Sequence, residues 1–167
     1  MTRPIVWALG ILATSALSAT TAGDRISKAF GLPRGGAPAV QSAEGDRVVV
    51  AADLAGHFVV HPTLDGRRIR MLVDTGASLI ALSHEDARLV GLNPAPRDYT
   101  RRIATANGVV EAAPVRFSEV KVGGIAVRGV DALVLPPGRL GTSLLGMSFL
   151  KRLGGFEVTQ GRLVLKG

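Results

Sequence analysis

Asp74 stands where an acid is unexpected. It closes the run Ile69-Arg70-Met71-Leu72-Val73, in which Ile69, Met71 and Val73 share one strand face, and Thr75-Gly76-Ala77-Ser78 follows it. The commoner fate of an Asp before Thr-Gly is to cap a turn at a strand end. The neighbours allow more. Gly76 lets the chain turn sharply enough for backbone N–H groups to approach a carboxylate, and the hydroxyls of Thr75 and Ser78 can donate hydrogen bonds that fix the carboxyl plane. Hydrolysing a peptide bond without a metal or a covalent nucleophile requires one group to take a proton from water and another to give one to the carbonyl oxygen. Two neighbouring carboxyls sharing one proton supply both.

Other chemistries find less support. The chain has no cysteine, which excludes thiol nucleophiles, thiolate metal sites and disulfides. His57, His61 and His84 are accompanied by no carboxylate cluster, so they read as surface or structural residues and no metal is expected. Ser78 and Ser148 lack the Gly-x-Ser-x-Gly frame of a nucleophile elbow. No glycine loop of the phosphate- or dinucleotide-binding type occurs, and no cofactor is expected. The formal charge of +7 comes from cations placed singly or in pairs such as Arg67-Arg68 and Arg101-Arg102. Without a basic run or an aromatic platform, a solvated basic surface is the reading and no nucleic acid is expected; weak attraction to anionic headgroups stays open.

The elements that must position Asp74 are mostly strands. Twenty-one glycines, nine prolines and few aromatics in 167 residues favour short strands and tight turns around one core. Residues 1–23 read as a signal peptide or N-terminal transmembrane anchor: no charge separates Arg3 from Asp24, and Ile5–Leu17 is almost wholly apolar. Thr20-Thr21-Ala22 would suit a signal peptidase, whereas Pro4–Ala22 is nearly long enough to span a bilayer if retained. The uncleaved anchor is preferred, and Arg3 then places the rest outside the cytoplasm, in the periplasm of a bacterium; secretion to the periplasm after cleavage is the alternative. Residues 24–46 read as a Gly/Pro/Ala-rich spacer and 47–167 as the folded domain.

Within that domain Val48-Val49-Val50 opens a strand, and Phe58–Leu64 and Arg67–Asp74 form a hairpin turning at Asp65-Gly66. Ser83 caps a short helix that ends at Gly91. Thr100–Ala106 and Val109–Val115 flank Asn107-Gly108, and Val115–Val122 and Ile125–Leu135 flank Gly123-Gly124. Leu144-Leu145-Gly146 reads as a buried strand end, Met147–Leu153 as a helical turn or two, and Phe156–Val158 with Leu163–Leu165 as a closing hairpin.

Leu72-Val73-Asp74-Thr75-Gly76-Ala77-Ser78 resembles the active-site loop of aspartic proteases. The hairpin tip Thr105-Ala106-Asn107-Gly108 resembles their flap, and Leu144-Leu145-Gly146 resembles the segment that crosses beneath the catalytic loop and precedes a short helix. Together with Gly56-His57-Phe58, these stretches make the region from Val48 onwards similar to the retropepsin-like family, and to its bacterial membrane-anchored branch in particular. The resemblance implies a mainly β half-barrel with one or two short helices, completed by homodimerisation. It implies Asp74 as the catalytic acid, and Thr75, Gly76, Ala77 and Ser78 as its loop. Thr75 would reach across the twofold axis and Ser78 would meet the outer carboxylate oxygen. Ala106, Asn107 and Gly108 would cover an extended peptide, and Leu144, Leu145 and Gly146 would support the loop.

Only one Asp-Thr-Gly occurs, so the partner carboxyl must come from a second copy through an isologous interface, for which the hairpin Phe156–Leu165 is a candidate. The function implied is an aspartic endopeptidase acting on exported or membrane proteins, its partners being itself, a peptide or protein substrate, and inner-membrane lipid. A catalytically silent peptide-binding or scaffold module on the same fold is the alternative, against which the intact Asp74, Thr75 and Gly76 speak.

Overall fold

A computed structural model describes residues 41–105 and 108–167. The segment 1–23, the spacer as far as residue 40, and Ala106 and Asn107 of the hairpin tip lie outside the described residues. Among the described residues no helix is long and apolar enough to cross a membrane.

Among the described residues thirteen strands form two sheets. In the smaller, β1 (Gln41–Glu44), β2 (Arg47–Ala51), β13 (Arg162–Lys166) and β12 (Gly155–Thr159) run antiparallel in that order. Val48 and Val50 alternate as the buried positions of β2, whereas β13 is apolar on both faces and buries Leu163, Val164 and Leu165 in succession. β1 corrects the expected domain boundary, because regular structure begins at Gln41 inside the stretch read as spacer. Gln-Ser-Ala-Glu carries no apolar alternation; its pairing with β2, from Gln41 opposite Val50 to Glu44 opposite Arg47, is an edge ladder of backbone hydrogen bonds.

The larger sheet follows the order β3 (Val59–Val60), β6 (Met71–Val73), β11 (Leu144–Leu145), β7 (Ile80–Leu82), β10 (Ile125–Val134), β9 (Gly108–Val122), β4 (Thr63–Leu64), β5 (Arg67–Arg68), with β8 (Arg101–Thr105) paired to β9. The Asp65-Gly66 turn forms with Leu64 opposite Arg67 and positive φ at both turn residues, 46° and 85°. The hairpin around it is divided: β3 pairs with β6, whereas β4 pairs with β5 and with β9. Pro62, lacking an N–H, separates β3 from β4, and beyond it the chain crosses to another part of the sheet. The two strands expected to meet at Val115 are one, β9, whose first part pairs with β8 and whose remainder, from Ala113, pairs with β10.

The sheet curls at Gly129. The buried positions of β10 change phase there, from Ile125 and Val127 to Val130 and Ala132, and those of β9 change between Phe117 and Val120. Gly129 has φ +62°, and a Cβ on it would lie 2.8 Å from the Arg116 guanidinium. At this kink the Asp65 carboxylate accepts hydrogen bonds from the N–H groups of Ser118 and Glu119, at 3.2 and 2.8 Å, while Asp65 N–H donates to the Glu119 carbonyl at 3.0 Å. Helix α1 (His84–Leu89) is capped by the Ser83 hydroxyl, which accepts from Asp86 N–H; α2 (Met147–Leu150) packs Phe149 and Leu150 into the core formed by the two sheets.

Replacing Asp65 by Ala removes the acceptor for two N–H groups and puts a residue intolerant of positive φ into the turn. The expected loss is about 1–2 kcal/mol, read as a lower urea midpoint at unchanged m-value, with Asp65→Asn losing less than half of that.

Candidate active site

The loop that carries Asp74 is held from below by a strand threaded through its neck. β6 leads into the loop and β7 leads out. β11 lies between them, with Leu144 opposite both Leu72 and Ala81, and Leu145 opposite Val73. The backbone bonds run in sequence: Leu72 N–H to the Ser143 carbonyl at 2.9 Å, Asp74 N–H to the Leu145 carbonyl at 3.1 Å, and Met147 N–H to the Ala77 carbonyl at 2.8 Å. From the other side Val73 N–H donates to the Phe58 carbonyl at 2.9 Å. Asp74 is therefore fixed at its main chain on both flanks.

Gly146 is what permits so close a crossing. A Cβ there would lie 2.2 Å from the Leu79 carbonyl oxygen and 2.6 Å from that of Ala77, both backbone atoms of the loop's descending arm. Two residues on, the buried Ser148 hydroxyl accepts from Ile80 N–H at 2.9 Å, so the start of α2 holds the loop's exit as well.

Asp74 is half-buried at the surface of this frame, while Thr75, Gly76 and Ser78 are exposed and Ala77 is half-buried. One carboxylate oxygen, Oδ1, accepts from Gly76 N–H at 2.8 Å. Such a bond orients the carboxyl plane and leaves Oδ2 free for a second group. Among the described residues neither the Thr75 nor the Ser78 hydroxyl bonds to Asp74; the backbone of Gly76 does the orienting within one chain. Among the described residues no hydrogen bond holds the exposed Thr75 hydroxyl.

Gly108, the one described residue of the three assigned to the flap, begins β9 with φ +99°, and its carbonyl accepts from the Thr105 hydroxyl at 2.8 Å. Beneath this hairpin lies a second, smaller apolar cluster. Ala112, Leu133 and Leu135 are buried, and the half-buried Leu79, Ala81, Ile103, Val110 and Leu140 pack on them. Leu79 and Ala81 follow the Asp74 loop directly, and Ile103 and Val110 belong to the two arms of the hairpin. The arrangement is an apolar wall between loop and hairpin, with Val109 exposed near the tip. An open groove of about 340 Å³ adjoins Leu140 and is lined by Ser83, Glu85, Asp86, Gly138 and Gly141, without Asp74.

Comparison with known proteins decides the family. Residues 60–152, more than half of the chain, match the family described as "gag-polyprotein putative aspartyl protease". The chain belongs to this family. Its architecture matches the crystal structure of a retropepsin-like aspartic protease from Rickettsia conorii, at 36% identity and a TM-score of 0.66, over 75% of this chain and 94% of that one. The EIAV protease complexed with the inhibitor HBY-793 shares the fold at 21% identity and a TM-score of 0.53, over 66% of this chain and all of that one. Among curated sequences, an uncharacterised Sinorhizobium protein from the cobV 5′ region is 44% identical over 81% of this chain, and an uncharacterised protein of Rickettsia prowazekii (strain Madrid E) is 38% identical over 74%. The chain spans 59% and 53% of the lengths of those two relatives.

Several supporting residues escaped sequence reasoning. Ser143 is fully buried; its hydroxyl donates to Asp86 Oδ2 at 2.5 Å and accepts from Ser83 N–H at 3.0 Å, tying the residue before β11 to the cap of α1. Ser148, which lacks a nucleophile's frame, is the second. The signal available for both was a serine inside an otherwise apolar run, where burial obliges a hydroxyl to find a partner. Asp53 organises the loop before β3 by accepting from the N–H groups of His57 and Ala55, and the His57 bond foremost holds its carboxyl below the ordinary range. His57 Nδ1 lies 3.7 Å from Asp53, and among the described residues the buried His84 Nδ1 finds no hydrogen-bond partner. Among the described residues no cluster of three potential ligands is placed to hold a metal.

Two substitutions separate the roles of α2's first turn. Gly146→Ala must push apart backbone on the loop's exit, so a loss of about 3 kcal/mol or more is expected, with most of the chain failing to fold. Ser148→Ala leaves Ile80 N–H buried and unpaired, with an expected loss of about 1–3 kcal/mol in urea unfolding.

Proposed function

We propose that two copies of this chain form an aspartic endopeptidase in which Asp74 of each contributes to one catalytic pair. The observation that carries the reading is the frame around Asp74: a single loop, braced by β11 and Gly146, offers one oriented carboxylate with a free oxygen at its exposed edge. One such acid cannot serve as both base and acid. A twofold axis beside the loop would supply the second, and the neighbouring Thr75 is exposed. The Rickettsia conorii relative, a retropepsin-like aspartic protease, supports the assignment.

In the proposed dimer, two carboxyls about 3 Å apart cannot both ionise, so they share one proton. The ionised member takes a proton from water as its oxygen attacks the peptide carbonyl carbon. The protonated member gives its proton to the carbonyl oxygen. Collapse of the resulting diol returns a proton to the amine that leaves, and the pair regains its single proton. The β8–β9 hairpin would cover the substrate and exclude water, with backbone groups adding to an extended peptide as a further strand. The apolar wall of Leu79, Ala81, Ile103, Val110 and Leu140 favours apolar side chains near the scissile bond. The N-terminal apolar segment is proposed to hold this domain on the outer side of the inner membrane, where exported or membrane proteins are the substrates.

The test is peptide cleavage by the full chain in detergent micelles or nanodiscs, set against Asp74→Asn. Loss of about 10²- to 10⁴-fold or more is expected, with the variant's unfolding midpoint close to wild type. Equal cleavage by both would contradict the reading; no cleavage by either, across acidic and neutral pH, would favour a silent peptide-binding module.

A further inference from the structure

The outward face shared by β5, β4, β9 and β10 carries cations in excess of acids. Register aligns Arg68, Thr63, Lys121 and Ala126 in one row across the four strands, and directly opposed residues project to the same side. Arg68, Lys121 and Ala126 are exposed, and Arg70, two residues beyond Arg68, is exposed between the buried Ile69 and Met71. The acids in this region are already engaged. Glu119 lies 3.8 Å from Arg128, Asp131 lies 2.7 Å from Arg116, and the Asp65 carboxylate holds two backbone N–H groups. Among the described residues none of Arg68, Arg70 and Lys121 makes an ion pair. Their field is felt at His61, whose imidazole is pushed below its ordinary pKa by burial first and then by Arg68 and Arg70.

We infer that this sheet face docks on anionic phospholipid headgroups, with Arg68, Arg70 and Lys121 as its contacts. The face is a sheet surface without an aromatic in the row, which suits a plane of phosphates better than stacked bases. Proximity rests on the proposed membrane anchor: the chain from Asp24 to Val40 can reach at most roughly 60 Å, so a domain tethered through Pro4–Ala22 stays within about that distance of the bilayer. Each cation near an anionic surface multiplies the docked-to-free ratio about fivefold, so three together give about 100-fold.

Because the chain has no cysteine, Ala126→Cys gives a single labelling site on the face. Energy transfer from a dye at that site to headgroup-labelled lipid is measured for the full chain in vesicles of phosphatidylcholine, with and without phosphatidylglycerol. Phosphatidylglycerol is expected to raise the transfer, molar salt to abolish the gain, and Arg68→Gln/Arg70→Gln/Lys121→Gln to cut the docked-to-free ratio about 100-fold. Arg116→Gln/Arg128→Gln, which removes cations that have acid partners, is expected to change it less than about threefold. Equal transfer with and without phosphatidylglycerol, or an unchanged triple variant of wild-type melting temperature, overturns the inference. So does displacement of the face by a single-stranded oligonucleotide in a protein that ignores phosphatidylglycerol, which would assign it to nucleic acid. Failure to float with neutral vesicles would count against the anchor alone, since the lipid dependence is still read on anionic ones.

Discussion

The close passage of Gly146 under the Asp74 loop is the constraint on which the rest depends. A strand inserted between the two arms of a loop must approach backbone on both sides, and here the approach leaves no room for even a methyl group. The consequence is a carboxylate whose main chain is fixed by Leu145 and, through the preceding Val73, by Phe58, whose orientation is fixed by Gly76, and whose exit strand is fixed by Ser148. Little of this rigidity comes from side-chain packing of the acid itself. It comes from backbone bonds inside a buried crossing, where each unmade bond would be costly.

That frame explains why the remaining residues of the site can be small and exposed. Thr75, Gly76 and Ser78 need not anchor the loop to the core, so they stay available to whatever meets it. The apolar cluster under the β8–β9 hairpin is separate from the main core, and its half-buried members lie along the route from loop to hairpin. A domain of this size with a second small cluster at its surface has spent apolar side chains on something other than stability; a bound apolar residue is a physical account of them.

Much of the fold was legible because local turn chemistry and alternation agree. Asp65-Gly66 turned with both φ angles positive, Gly123-Gly124 and the closing hairpin formed in register, and Ser83 capped its helix. Leu144-Leu145-Gly146 was legible as a buried strand end followed by a helical turn. What escaped was set by partners distant in sequence. Pro62 diverts the chain so that β3 and β4 lie in different places, and β1 exists through backbone pairing with β2 and not through its own residues. The phase change at Gly129 needs two strands and the Asp65 carboxylate together, and Ser143 and Ser148 act on backbone about sixty residues away, which no local pattern encodes. Of the site, the acid and its loop could be read from sequence, whereas the orienting bond from Gly76 and the brace from Ser148 required coordinates.

The proposed reacting centre is shared between two copies. It is tested most directly by allowing wild-type and Asp74→Asn subunits to exchange at fixed total concentration and measuring peptidase activity against the wild-type fraction. A shared pair predicts that activity follows the square of that fraction, so an equal mixture retains about one quarter. Activity proportional to the wild-type fraction would mean that each chain works alone, and would contradict it.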